Sequence, residues 1–282
     1  MKTLYLITIS GIISLLSSCG SSNEQATAGI ENNTASTLPA PAAIGYSILN
    51  SYPHDTTAFT QGLELHEGKL IESTGLTGSS TLRMVDPTTG KVIKEISNQK
   101  DIFAEGVTVF RDTVYQLSWQ NHLVLMYRVK DLSLIGTVPW SGEGWGITHD
   151  TSSLIISDGT DKLYFVEPVT LKLKRVLSVQ DQYGPVNNLN ELEIIEGYIY
   201  ANRWQYDYIL KIDPKSGFVV GMMNMKDFLQ KNSRSNLSHL KKIGSIAVET
   251  GAVLNGIAYD SVKKTILITG KLWPEVFEIK MN

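Results

Sequence analysis

One acidic side chain could carry chemistry because it occupies a position that is polar in most copies of a repeated pattern. The residues at this position are Gln61, Glu105, Trp145, Asn190 and Asn255. Only Glu105 among them has a group that gains or loses a proton near neutral pH. Neighbouring rings such as Phe103 and Trp145 would exclude water and raise its pKa. The pattern therefore indicates Glu105 as a candidate proton carrier, while a carboxylate that binds only water or an ion fits it about equally well.

A second recurring position carries large aromatic residues. The count starts from the residue that follows each member of the first set, and the second position lies 13 residues further along the chain. Trp119 and Trp204 occupy it in two copies. Gly75 and Gly159 occupy it in two others, and Lys271 lies two residues later in the fifth. Such indoles either pack repeats together or wall a small pocket. Their place at strand ends beside the polar positions favours a pocket.

Other signatures of chemistry are missing from the sequence. The five histidines show no spacing typical of a metal site, and the single cysteine excludes an intramolecular disulfide or a cysteine-ligated metal. No nucleophile elbow or glycine-rich phosphate loop is present. The sequence therefore predicts neither a metal site nor a cofactor.

A repeat must bring these positions together. The residues that follow the first set, Gly62, Gly106, Gly146, Glu191 and Gly256, are separated by 44, 40, 45 and 65 residues. Four short strands with their turns need roughly 40 to 45 residues, which is the length of a propeller blade. Alternating apolar patterns separated by turn residues support strands in every copy. We therefore expect an all-β, five-bladed β-propeller in which the first strand of each blade lines the central channel.

The ends of the repeat region indicate how the ring closes. Too little chain follows Gly256 for four strands, and a spare strand pattern precedes the first copy at residues 46–49. Pairing this N-terminal strand with the last blade would complete it. The longest spacing contains an insertion at residues 225–242, whose apolar residues predict one short helix. Those residues are Phe228, Leu229, Leu237 and Leu240.

The N-terminal segment has the features of an export signal. Residues 1–18 combine a charged start with a short apolar run, and the Leu-Ser-Ser-Cys sequence that ends at Cys19 resembles a bacterial lipobox. We expect lipidation of Cys19, a flexible tether at residues 19–44 and a propeller at residues 45–282, anchored in the bacterial cell envelope at the periplasmic face or the outer membrane. A plain secretory signal is the alternative. The net charge of −3 and the absence of basic runs disfavour nucleic-acid binding.

Several motifs together resemble the glutaminyl-peptide cyclotransferases of plants and bacteria. The match runs in order from about residue 46 to 282 and includes the residues just described. Its clearest segments are Phe59-Thr60-Gln61-Gly62, Phe103-Ala104-Glu105-Gly106, Gly144-Trp145-Gly146, Leu189-Asn190-Glu191, Asn202-Arg203-Trp204 and Thr269-Gly270-Lys271. The resemblance implies a metal-independent five-bladed propeller that acts on peptides or proteins with an N-terminal glutamine. The product would be pyroglutamate, with release of ammonia.

The resemblance also implies a role for each site residue. Glu105 would be the general acid and base, and Gln61, Asn190 and Lys271 would bind the substrate's carbonyl oxygens. Five aromatic side chains would hold the glutamine side chain folded toward its own amine. They are Trp119, Trp145, Trp204, Phe59 and Phe103. No cofactor is implied, and we expect a monomer.

Two other functions fit the same pattern. A noncatalytic propeller lipoprotein could bind a peptide or sugar at the aromatic mouth, and it would not need a lone carboxylate in the polar ring. A calcium-dependent lactonase-like propeller would need several convergent acidic or Asn ligands, which Glu105, Asn190 and Asn255 could supply. Ammonia release that is insensitive to chelators would separate these possibilities.

Overall fold

The computed structural model describes residues 38–235 and 253–282, and these form mainly antiparallel sheets of short strands. The elements that precede the first blade are β1 (Ala42–Ala43) and β2 (Tyr46–Pro53). Blade 1 contains β3 (Thr60–His66), β4 (Lys69–Thr74), β5 (Thr81–Val85) and β6 (Val92–Ser97). Blade 2 contains β7 (Ala104–Phe110), β8 (Thr113–Ser118), β9 (Leu123–Arg128) and β10 (Leu134–Pro139). Blade 3 contains β11 (Ile147–His149), β12 (Leu154–Ser157), β13 (Lys162–Val166) and β14 (Leu173–Ser178).

The second half of the chain continues the same order. A small hairpin, β15 (Gln180–Asp181) and β16 (Gly184–Pro185), links blades 3 and 4. Blade 4 contains β17 (Leu189–Ile195), β18 (Tyr198–Arg203), β19 (Tyr208–Ile212) and β20 (Val219–Asn224). The short helix α1 (Phe228–Asn232) follows, and blade 5 contains β21 (Leu254–Asp260), β22 (Thr265–Gly270) and β23 (Glu275–Met281). This order confirms the predicted five-bladed propeller.

The ring closes as the sequence predicts. β2 pairs antiparallel with β23 along its whole length, from Tyr46 opposite Met281 to Pro53 opposite Glu275. The N-terminal strand is thus the outer strand of the last blade. It runs from Tyr46 to Pro53, four residues beyond the predicted end, because Asn50 and Tyr52 also bind this blade through the carboxylate of Glu278.

The hydrophobic core lies between the blades. In the part of the chain that the structure describes, buried apolar residues form five clusters, and each cluster joins one pair of neighbouring blades. The first strands of the blades, β3, β7, β11, β17 and β21, lie beside one another around the centre. Because every blade buries both of its faces against neighbours, the inner strand ends are held in a fixed ring.

Glycines allow the inner strands to approach closely. A Cβ at Gly106 would lie 2.7 Å from the backbone nitrogen of Ile147 in the next blade, and a side chain at Gly146 would overlap the backbone of β17. The fourth copy has Glu191 instead of glycine, and this fully buried carboxyl group accepts hydrogen bonds from the backbone amides of Leu63 (3.2 Å) and Ile257 (2.9 Å). Blade 4 is therefore joined to blades 1 and 5 by hydrogen bonds near the axis.

The chain enters the sheet earlier than the predicted tether boundary. β1 pairs in parallel with β20, and the side chain of Ile44 lies in the space beside Gly221, where any side chain would collide with it. Residues 42–44 therefore belong to the edge of blade 4, because an apolar residue and a facing glycine allow the contact. The predicted signal at residues 1–18, Cys19 and the tether as far as residue 37 lie outside the described residues.

The predicted insertion at residues 225–242 begins with a single helical turn, α1. Phe228 and Leu229 are buried in it, as expected for the apolar side of a helix. The other two predicted apolar positions, Leu237 and Leu240, lie outside the described residues. No helix among residues 38–235 and 253–282 is long and apolar enough to cross a membrane.

Candidate active site

The polar residues of the first repeated position are buried at the start of the inner strands. Gln61, Glu105, Asn190 and Asn255 are all at most 6% exposed. The side-chain amide of Gln61 donates a hydrogen bond to Oε1 of Glu105 (3.0 Å). Asn255 donates to the carbonyl oxygen of Thr60 (3.1 Å), and its Nδ2 lies 3.5 Å from Oε1 of Gln61. Residues from blades 1, 2 and 5 therefore meet directly around Glu105.

Glu105 and Lys271 form an electrostatically coupled pair in this buried region. Burial raises the pKa of Glu105 well above its usual range, the charge of Lys271 opposes that rise, and the charge of Glu143 adds to it. Burial likewise lowers the pKa of Lys271 to about 8, and the charge of Glu105 opposes that fall. Both groups are therefore pushed toward their neutral forms, which places a readily exchanged proton in a water-poor site.

The turn after β22 positions Lys271. Its backbone nitrogen donates to the carbonyl oxygen of Val253 (2.9 Å), and the next residue, Leu272, donates to the carbonyl oxygen of Ala58 (2.7 Å). The Lys271 ammonium lies 4.6 Å from the centroid of the Phe59 ring. The ring face stabilises the ammonium by a cation–π interaction. Lys271 therefore reaches the site from blade 5 across the first residues of blade 1.

Five aromatic rings follow one another around the same end of the propeller. We call Phe59, Phe103, Trp119, Trp145 and Trp204 the aromatic arc. Phe59 meets Phe103 edge-on with ring centroids 6.2 Å apart, and Phe103 meets Trp119 at 5.6 Å. Trp145 meets Trp204 edge-on at 5.6 Å. All five rings are half-buried, and Phe103 and Gln61 both lie against Gly75, so the arc lies beside the polar residues.

The two glycines at the second repeated position make room for this arc. A Cβ at Gly75 would lie 2.6 Å from the Phe103 ring, and one at Gly159 would lie 2.7 Å from the Trp145 indole. A side chain at either place would displace an aromatic ring. The position therefore holds either an indole or the space for a neighbouring ring, which explains why Trp and Gly both occur there.

Glu143 is a functional candidate that the repeat pattern does not reveal. It lies in the connection between β10 and β11, and its carboxylate accepts hydrogen bonds from Trp119 Nε1 (2.8 Å) and Trp145 Nε1 (3.0 Å). The other copies have no acidic residue with this role in their recurring pattern. Its one sequence signal is its place two residues before Trp145.

Three amide groups near the inner strand ends are buried without a hydrogen-bond partner. The side-chain oxygens of Asn190 and Asn255 and the side-chain nitrogen of Asn202 are in this state. The oxygen of Asn202 accepts a hydrogen bond from the backbone amide of Gly256 (2.9 Å), which places it next to Asn255. Buried polar groups without partners are rare and costly. They are suited to bind the polar groups of a ligand.

His54 and His149 belong to networks separate from these polar groups. His54 contacts Glu72 and the carbonyl oxygen of Trp273, and His149 contacts Thr108 (2.9 Å). Within residues 38–235 and 253–282, no group of three or more His, Cys, Asp or Glu side chains is arranged to hold a metal ion. The polar groups beside the aromatic arc include the Glu105 carboxyl group, the Lys271 ammonium group and unpaired amides. Together they can move a proton and stabilise a developing negative charge.

Comparison with known proteins gives concordant results. The family model described as glutamine cyclotransferase matches residues 17–281, a range that contains every strand from β1 to β23. The chain is 40% identical over 240 residues to a glutaminyl-peptide cyclotransferase of Arabidopsis thaliana, covering 83% of this chain and 71% of that protein. The crystal structure of Myxococcus xanthus glutaminyl cyclase superposes with a TM-score of 0.74 at 34% identity, covering 86% of this chain and 98% of that one.

Proposed function

The chain belongs to the glutamine cyclotransferase family, and we propose that Glu105 and Lys271 perform the chemistry of that family at the mouth of the propeller. The protein is an acyltransferase that converts an N-terminal glutamine into pyroglutamate. Its substrates are peptides and proteins that begin with glutamine. The reaction must therefore join the α-amine of the glutamine to the carbon of its own side-chain amide and release ammonia.

The reaction forms one bond and breaks one. The neutral α-amine attacks the side-chain amide carbon, and a carbon–nitrogen bond forms while the carbonyl oxygen takes on negative charge. The bond to the amide nitrogen then breaks, and that nitrogen leaves as ammonia once it has gained a proton. The attacking nitrogen has a proton to lose, so a single group that moves it between the two nitrogens balances the reaction.

Glu105 is suited to carry that proton. Its carboxylate oxygen is already within hydrogen-bond distance of a neutral amide, that of Gln61, so its position is fixed before substrate arrives. Its raised pKa makes the carboxylate a stronger base than an exposed glutamate. It would take the proton from the attacking amine and return it to the leaving nitrogen.

Lys271 and the amides would bind the charge and the polar groups of the substrate. With a pKa of about 8, Lys271 is mostly protonated at neutral pH and would stabilise the oxyanion of the tetrahedral intermediate. Gln61 lies between Glu105 and Asn255 and would orient the same carbonyl group. The side-chain N–H of Asn190 would bind a substrate carbonyl oxygen, and its free oxygen would accept a hydrogen bond from a substrate N–H group. A bound glutamine would thus satisfy groups that are otherwise unpaired.

The aromatic arc would hold the glutamine side chain in a folded conformation. Cyclisation needs the amine to lie close to the amide carbon, and an extended side chain keeps them apart. Half-buried rings on one side of the mouth restrict that freedom and exclude water. Correct orientation of reacting groups can supply a large part of a rate acceleration.

The observation that carries this assignment is the buried hydrogen bond from Gln61 to Glu105, a carboxyl group on which the charge of Lys271 also acts. The test is ammonia release from a dipeptide that begins with glutamine. We expect Glu105→Gln to lower kcat at least 100-fold, about 2.7 kcal/mol of barrier, while its circular dichroism stays unchanged. Wild-type turnover by this variant would contradict the role of Glu105.

Matched controls separate the other functions. A dipeptide with an acetylated amine has no nucleophile and should release no ammonia. Glu167→Gln makes the same chemical change on an exposed turn after β13 and should keep full activity. Activity that is lost on adding a chelator would instead favour a calcium-dependent propeller, and binding without turnover would favour a noncatalytic one.

We also propose that the protein is a lipid-anchored monomer of the bacterial cell envelope. The proposal is supported by the apolar run that ends in Leu-Ser-Ser-Cys at Cys19. In the bacterial host, the full chain should partition into detergent, and mass spectrometry should find acyl groups on Cys19. Cys19→Ala should abolish both, and a wild-type protein recovered without acyl groups would contradict the proposal. Light scattering of a form lacking residues 1–37 should give the mass of one chain.

A further inference from the structure

Neighbouring rings of the aromatic arc contact each other except at one place, and there Glu143 binds the rings on both sides. Ring contacts join Phe59 to Phe103 to Trp119, and separately join Trp145 to Trp204. Among the described residues, Trp119 and Trp145 have no direct ring contact, and they belong to different blades. Both indole nitrogens instead donate to the same atom, Oε2 of Glu143, at 2.8 and 3.0 Å. A single carboxylate oxygen therefore fixes two rings across the boundary between blades 2 and 3.

The surroundings of Glu143 keep its carboxylate charged. Its other oxygen accepts a hydrogen bond from the side-chain amide of Gln120 (3.2 Å). Partial burial would raise the pKa of Glu143, but the hydrogen bonds from Trp145, Trp119 and Gln120, with a contribution from His122, lower it instead. The group is therefore an anion throughout the neutral range, and a neutral side chain could not accept all three hydrogen bonds equally well.

A fixed orientation of the two indoles matters for what they enclose. An indole N–H that points at Glu143 turns one edge of the ring toward the carboxylate, so the ring cannot rotate about its side-chain bonds without breaking a charge-assisted hydrogen bond. Trp119 and Trp145 are both half-buried, so packing against the protein covers only part of each ring. Locking both rings would keep the arc in the shape that folds the glutamine side chain.

We propose that Glu143 is a positioning residue for the cyclisation reaction, which acts by clamping Trp119 and Trp145 around the substrate and by placing a permanent negative charge near Glu105. The inference rests on the proposed function. It differs from a purely structural role, because Glu143 lies in a connection outside the blade strands and outside the five core clusters. The hydrogen bonds of its carboxylate go to the site residues Trp119 and Trp145 and to Gln120, while its backbone carbonyl accepts one from the core residue Trp140.

Glu143 also acts on the proton carrier, Glu105. The charged groups that act on Glu105 are Lys271, which favours its ionised form, and Glu143, which disfavours it. Removing the charge of Glu143 should therefore lower the pKa of Glu105. Since the reaction begins with Glu105 as a base, the acid limb of the kcat profile should move to lower pH.

The experiment compares Glu143→Gln with Glu143→Asp and with the exposed control Glu167→Gln. Glu143→Gln preserves size but lacks the charge and one acceptor, and we expect kcat to fall about 10- to 100-fold, as misplacement of binding groups commonly causes. Its acid limb should shift to lower pH by a measurable fraction of a unit. Glu143→Asp keeps the charge and should retain the wild-type position of the limb. The Glu167 variant should match the wild type in both respects.

A double-variant cycle tests whether Glu143 acts through the indoles. Trp145→Phe keeps an aromatic ring but lacks the N–H donor. If Glu143 works by clamping Trp145, the variant carrying both changes should lose less activity than the product of the two separate losses. A loss equal to that product would refute the clamp, and an acid limb that does not move in Glu143→Gln would refute the electrostatic part.

The outcomes distinguish this inference from the proposed function. If Glu143→Gln, folded by circular dichroism, retains the wild-type kcat and pH profile, Glu143 has no positioning role although the enzyme still cyclises glutamine. If the wild-type protein releases no ammonia from any glutamine-initiated dipeptide, the proposed function itself is wrong.

Discussion

The charge on Lys271 should set the highest pH at which the enzyme works efficiently. In the proposed reaction the ammonium stabilises an oxyanion, so activity should fall when it loses its proton. Burial lowers the pKa of Lys271 from 10.5 to about 8, against the opposing charge of Glu105. We therefore expect kcat/KM of the wild-type enzyme to decline above about pH 8.

The size of the expected loss of activity follows from the lowered pKa of Lys271. A pKa lowered from 10.5 to about 8 means that the protein favours neutral over charged lysine by about 3 kcal/mol relative to water. Above the pKa, the protonated fraction falls about tenfold for each pH unit. The wild-type rate at pH 10 should thus be roughly 100-fold below its maximum. An exposed lysine, with a pKa of about 10.4, would lose only about a quarter of its charge by pH 10.

Lys271→Arg provides the perturbation. A guanidinium stays protonated above pH 12, so this variant should show no decline between pH 8 and 10. Its activity at pH 7 should be lower than that of the wild type, because the larger planar group must fit where a 4% exposed lysine does. Lys69→Arg, at an exposed position at the start of β4, is the matched control and should keep the wild-type profile.

The assay is the pH dependence of kcat/KM for a glutamine-initiated dipeptide, measured by ammonia release from pH 6 to 10 at constant ionic strength. The substrate amine must be neutral, which lowers the rate below about pH 8 in every variant alike. The informative comparison is therefore the alkaline side alone. A wild-type rate that stays level to pH 10, or an equal decline in Lys271→Arg, would refute the reasoning.

Three further predictions concern stability and closure. Gly146→Ala should destabilise the fold by about 3 kcal/mol in urea unfolding, because its Cβ would overlap the backbone of the neighbouring blade. The pKa of His54 is raised: burial lowers it, but the charge and hydrogen bond of Glu72 outweigh that effect. The stabilising contribution of protonated His54 is therefore complete below pH 6.5 and is lost as the pH rises through its raised pKa. Glu72→Gln should remove this part of the pH dependence, so the urea midpoints at pH 6 and 9 should differ less in the variant than in the wild type. Deleting residues up to Pro53 should leave blade 5 with an open edge and cause aggregation in size-exclusion chromatography, whereas deleting only as far as residue 37 should not.

Most of the fold could be predicted from the sequence because each blade is specified locally. Strands of alternating apolar residues recur in five copies, four of which have a glycine at the inner end, and a repeated local pattern implies a repeated structure. The alternating apolar patterns at residues 81–85 and 208–212, for example, form the strands β5 and β19. The N-terminal strand could be predicted because the last copy has too few residues for its fourth strand.

The parts of the site that follow the repeat could be predicted as well. Gln61 and Glu105 occupy equivalent positions in two blades, and the structure joins them by a hydrogen bond. Glu143 could not be found in this way, because its partners Trp119 and Trp145 lie on different strands and no other copy has an equivalent. The same applies to Glu191, whose sequence position indicates an inner strand but not the amides that it binds.

By itself, the sequence determined the number of blades, the strand that closes the ring and the single acidic residue among the polar positions at the mouth. Those features depend on residue types at regular spacing along the chain, and this spacing can be read without knowing where a strand lies in the fold. Only the tertiary structure decided that one carboxylate bridges two indoles, that Lys271 reaches Phe59 from blade 5, and which amides remain unpaired. These contacts join residues from different strands and loops, and the packing of the blades around the axis sets their distances.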